Sequence, residues 1–84
     1  MKVKNIEEII NVDKNIIKNA LLTFDLKTLA KASMGLSPMS NTLLNGLFPG
    51  IEKMRLCIGP VKLDEVEKIH AEIVAKVNEL LDKQ

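Results

Sequence analysis

The sequence predicts an all-α fold: a compact bundle of five to six helices that ends in a long amphipathic helix. Three observations carry that expectation. From Leu63 to Leu81 the apolar residues Leu63, Val66, Ile69, Ile73, Val74, Val77, Leu80 and Leu81 recur at the three- and four-residue spacing of one helical face. Helix-start residues (Asn5, Asp13, Asp25 and Ser37-Pro38) and chain breaks (Gly35, Pro49-Gly50 and Gly59-Pro60) divide the rest into short segments. No stretch alternates with period two for long enough to form a strand.

The first predicted helix is short: Asn5 caps it, Glu7 and Glu8 lie in its first turn where the helix dipole favours them, and Ile6, Ile9 and Ile10 face inward. Asp13 caps the second, whose stripe is Ile17, Ala20, Leu21 and Phe24. Asp25 caps the third, with Leu26, Leu29, Ala30 and Ser33 inward and Gly35 ending it just past the last periodic residue. Ser37-Pro38, an N-cap followed by proline at the first helical position, starts a fourth helix that buries Met39, Leu43, Leu44 and Leu47. Gly46 weakens the end of that helix before Pro49-Gly50 breaks the chain.

A fifth helix, Ile51 to Ile58, is expected to bury Ile51, Met54, Cys57 and Ile58, with Glu52, Lys53 and Arg55 outward. Gly59 then suits a left-handed helix end and Pro60 stops the helix. On the outer face of the final helix Asp64 precedes Lys68, Glu72 precedes Lys76 and Glu79 precedes Lys83, each acid four residues before its base, which is the favourable order for an ion pair. Connections of two to four residues make consecutive helices neighbours.

Eighty-four residues make a single domain, residues 1–84. With hydrophobic residues at 46% and aromatics at 2%, the core must be aliphatic. A net charge of +1 argues against nucleic-acid binding, which needs concentrated positive charge to displace counterions. The one cysteine, Cys57, excludes an internal disulfide and reads as a half-buried small hydrophobe. Met1-Lys2-Val3-Lys4 runs directly into acidic residues with no apolar leader, and no run approaches the ~20 apolar residues of a membrane span, so the expectation is a cytoplasmic protein without membrane insertion.

The chemistry of catalysis is missing from the sequence. There is no glycine-rich phosphate loop, no paired cysteine, and one His with one Cys falls short of the three or four ligands zinc takes. His70 reads as a boundary residue with its polar edge in water, and Glu7/Glu8, Asp64/Glu65 and Glu65/Glu67 as solvated helix surface. Met39 and Met54 fall with other apolar positions and read as core filling. The expectation is therefore a non-enzymatic chain with no cofactor and no metal. A rival reading is an enzyme or small-molecule binder that uses Cys57 or His70. What remains is the surface of the fourth and fifth helices, with Asn41, Asn45, Glu52, Lys53 and Arg55 leading to Lys62 after the Gly-Pro turn. Mixed charge of this kind either docks a partner or is ordinary solvated surface.

The order of these signals resembles the C-terminal helical domain of the flagellar motor switch protein FliG. The carrying stretches are Asn11-Val12-Asp13, Ile17 through Asp25, Leu29 to Gly35 and Leu43-Leu44-Asn45-Gly46-Leu47. The last is Gly59-Pro60-Val61-Lys62-Leu63-Asp64-Glu65-Val66-Glu67, where the family typically reads Gly-Pro-Val-Arg, two residues, then Val-Glu. The match runs from about Ile6 to Leu81.

The resemblance implies a protein–protein interaction domain of the flagellar rotor and switch complex. Such a domain contacts the cytoplasmic loop of the stator subunit MotA, or other rotor proteins, and serves torque, motility and chemotaxis at the basal body. It assigns the basic position after Gly-Pro-Val to Lys62, which keeps the charge and loses the planar guanidinium. Glu52, Lys53 and Arg55 are charges in the right region without being matched residues. The family's Lys before the glycine that ends the third helix is Met34 here, and its acidic pair has no counterpart. Nothing corresponds to the family's N-terminal and middle domains, which the resemblance assigns to the membrane ring and to FliM. Either an excised domain or a stand-alone FliG-like adaptor that binds another protein follows from these departures. Self-association through an uncovered apolar patch is a further expectation.

Overall fold

The final helix sets the geometry of the computed structural model, which describes residues 2–83. A 3-10 helix, Ile6–Asn11, comes first, followed by α1 (Lys14–Leu21), α2 (Leu26–Ser33), α3 (Pro38–Leu47), α4 (Gly50–Cys57) and α5 (Leu63–Asp82). Among the described residues there are these six helices and no strand. α5 buries Val66, Ile69, Ile73 and Val77 in one stripe and packs against α1, α2 and the opening 3-10 helix. α2 has its most extensive contact with α4 on the other side, and α3 bridges α4 and the opening helix. The radius of gyration is 11.9 Å, matching the about 12 Å of a close-packed chain of this length.

The core is aliphatic, as the composition requires. Ile9, Ile17, Leu21, Leu29, Leu44, Ile51, Ile73 and Val77 are fully buried, while Phe24 and Phe48 pack at its edge. Each such Leu or Ile contributes about 1.5–3 kcal/mol relative to exposure. All four expected caps form. Asn5 accepts from the Glu7 amide (3.0 Å), Asp13 from Asn15 (2.8 Å), Asp25 from Thr28 (2.7 Å) and Ser37 Oγ from Ser40 (3.3 Å). The expected ends of the final helix agree to within a few residues.

Several expected faces are corrected. Ile10 is exposed, because the opening helix is 3-10 and its three-residue turn carries Ile6 and Ile9 inward and Ile10 away. Met39 and Leu63, both 67% exposed, sit in the first turns of α3 and α5 and point to solvent. Cys57 is exposed at the last turn of α4, and Met54 packs on the core as expected. Neither Gly35 nor Gly59 has positive φ. Gly35 answers to space instead: a Cβ there would lie 2.9 Å from Val66 Cγ1 and 3.0 Å from His70 Cε1, so one of these α5 side chains would have to give way. Of the three expected ion pairs only Glu79–Lys83 forms, at 3.4 Å. Lys76 turns to Glu79 rather than Glu72, and Glu65 pairs across helices with Lys31 at 2.7 Å.

Candidate functional site

The charged surface singled out from the sequence is centred on α4. This helix is two turns long, with no side-chain cap at either end, and Ile51 is its one fully buried residue. Glu52 and Lys53 are exposed, as expected. With Arg55 and Leu56 they line a shallow depression of about 380 Å³. Lys62 is exposed at the N-cap of α5 and lines no part of that depression, since Gly59 and Pro60 separate it from α4. The structure therefore brings together three of the four candidates and leaves Lys62 apart.

Arg55 requires a correction. It is half-buried, and its Nε donates to Ser33 Oγ at 3.1 Å while a terminal nitrogen donates to Asn41 Oδ1 at 3.3 Å. The guanidinium ties α4 to α2 and α3, so two of its five N–H donors are committed inside the molecule. Asn41 is likewise occupied, donating to the Leu36 carbonyl at 3.2 Å. Asn45 is half-buried with a buried Oδ1 that has no hydrogen-bond partner. These two asparagines belong to the α3 packing layer, not to a display surface.

The residue missed in the sequence is Leu56. It is 88% exposed, the most exposed large apolar side chain among the described residues, with Glu52 and Lys53 beside it. Its signal was available: at 100° per residue it stands about 140° from Ile51, off the apolar stripe. A leucine there has no role in the core.

The other chemistry-bearing residues are structural. His70 Nε2 donates to the Ala32 carbonyl at 2.7 Å, so this nitrogen carries the proton and closes one of the last carbonyls of α2. Its polar edge is thus engaged rather than in water. No hydrogen bond joins it to Cys57 among the described residues. Glu7 is not solvated surface either. One carboxylate oxygen accepts from the hydroxyls of Ser37 and Ser40, both at 2.6 Å, and the other from the Ser37 amide at 2.9 Å. The Ser37 hydroxyl, then that of Ser40, then the Ser37 amide hold its pKa below the ordinary value. The carboxylate sits at the N-terminus of α3, where the helix dipole adds to these bonds. Glu8 is also committed, accepting from the Lys4 amide at 2.6 Å.

Among the described residues no group of three or more His, Cys, Asp and Glu side chains could hold a metal ion, and no helix is long and apolar enough to cross a membrane. Comparison with models of protein families, with curated proteins and with solved structures finds no match to this chain.

Proposed function

We propose that this chain is a FliG C-terminal-like helical domain that works by protein–protein contact in the flagellar rotor, with the cytoplasmic loop of a MotA-like stator subunit as its partner. The contact surface is the outer side of α4, Glu52, Lys53 and Leu56, extended by Lys62. The observation that carries this reading is Leu56, 88% exposed and flanked by opposite charges on a helix whose inner side is fixed by Ile51 and Arg55. An apolar anchor with a charged rim on a rigid support is how small contact sites divide affinity from specificity. The ordered sequence blocks from Asn11 to Glu67 support the rotor assignment. The domain then acts without catalysis or cofactor, in the cytoplasm at the periphery of the basal body, and its output is torque, motility and the switching used in chemotaxis.

The test is an NMR titration of the labelled domain with the stator loop from the same cell. Shifts centred on Glu52, Lys53, Leu56 and Lys62, weakening as salt rises and lost in Leu56→Ser, are expected. A folded domain that shows no shifts at low salt overturns the stator contact. The second reading then takes over: a FliG-like adaptor paralogue with another protein partner. It is favoured by Met34, exposed where the family carries Lys, and by the absent acidic pair.

A further inference from the structure

A depression of about 530 Å³ lies away from α4, between the opening segment and α5. Its floor is apolar, formed by buried Ile6 and half-buried Val74, and its α5 wall carries the exposed small residues Ala71 and Ala75. Two charges bound it, Lys4 and Glu67, and neither makes an ion pair among the described residues. They stand at opposite ends. The Val3 amide donates to Asn78 Oδ1 at 2.7 Å and Asn78 Nδ2 donates back to the Val3 carbonyl at 2.9 Å, which fixes Lys4 at the Asn78 end. Glu67 lies eleven residues earlier on α5, ~16 Å away along the helix axis.

We propose that this groove is the self-complementary interface of a homodimer, in which α5 of one copy packs antiparallel on α5 of the other. A two-fold axis through the middle of the groove, near Ala71 and Val74, sets Glu67 of each copy against Lys4 of its mate. Two charge pairs therefore form from one patch, as an isologous contact requires. Glu67, Ala71, Val74 and Asn78 follow one another by four, three and four residues, the seam spacing of paired helices. Ala71 and Ala75 let the helix axes approach to the lower end of the ~8–10 Å packing range. A seam of about three turns is small, which makes the dimer weak and reversible. This inference does not rest on the rotor reading, because none of its residues lies on α4.

The charge arrangement gives a test that only this geometry passes. Dissociation constants are measured by sedimentation equilibrium for the unaltered domain, Glu67→Lys, Lys4→Glu and an equal mixture of the two variants, with helicity checked by circular dichroism. Each variant alone faces like charges across the axis and is expected to dimerise roughly tenfold more weakly. The mixture restores both opposite-charge pairs in a heterodimer and is expected to associate more tightly than either variant alone. A clean monomer at the highest concentration overturns the proposal. So does a mixture no tighter than its components, or a dimer weakened by Leu56→Ser and indifferent to Glu67→Lys, which places self-association on α4.

Discussion

α5 and two of the short helices, the opening helix and α4, obey different rules. Along α5, twenty residues long, the apolar stripe decides everything: Val66, Ile69, Ile73 and Val77 are inside and most charges are outside. In the six-residue opening helix and the eight-residue α4 the assignment is partly inverted. Each sends a charged side chain inward (Glu7, Arg55) and an apolar one outward (Ile10, Leu56). A five-turn helix has enough apolar side chains to outvote any single polar contact. The opening helix and α4 bury only two residues and one, so in each a well-placed charged group with two or three hydrogen bonds helps to set the orientation. The equally short α1 and α2 bury three or more and keep the apolar rule.

Substitutions at four positions break or sharpen this contrast. Ile73→Ala removes a fully buried side chain from the dominant stripe and is expected to cost about 2–5 kcal/mol, read as a lowered denaturant midpoint with m unchanged. Arg55→Ala strips the bonds to Ser33 and Asn41 and is expected to cost about 1–3 kcal/mol. If polar anchoring holds α4, Arg55→Lys recovers little, since an ammonium cannot span both acceptors. A full recovery in thermal melts would mean that α4 is held by Ile51 alone.

Glu7→Gln is expected to cost about 1–2 kcal/mol at neutral pH. The folded-state pKa of Glu7 is lowered from its ordinary 4.5, so its contribution is complete above that value and fades as pH falls through the lower folded-state pKa. The gap between wild type and Glu7→Gln should therefore close on acidification. A gap of constant size from pH 7 to pH 3 would show that the charge is irrelevant. The smallest effect belongs to Leu56→Ser, within about 0.5 kcal/mol of wild type because the side chain touches little. A large loss there would mean that Leu56 is core after all.

The same contrast explains what was legible in the sequence. Start signals act within one turn, so Asn5, Asp13, Asp25 and Ser37-Pro38 announce themselves locally, and each cap forms. The α5 stripe repeats often enough to fix its own phase. Glu52, Lys53 and Lys62 are exposed as charged residues ordinarily are. Arg55 and Glu7 are different, because their partners lie 22 and 30 residues away. Nothing near either residue in sequence encodes such a partner. Gly35 is similar: its glycine answers to Val66 and His70 on another helix, not to its own backbone angles.

The paired amide bonds between Val3 and Asn78 join groups 75 residues apart in sequence, and this has a consequence for how the molecule is made. At a synthesis rate of about 5–20 residues per second, the opening segment waits ~4–15 s for the side chain that will hold it. During that interval α1 to α4 can assemble, but Val3, Ile6 and Ile9 have no α5 to cover them. The segment around Val3 thus docks only when α5 arrives, although the Glu7 bonds to Ser37 and Ser40 can hold the opening helix to α3 before then.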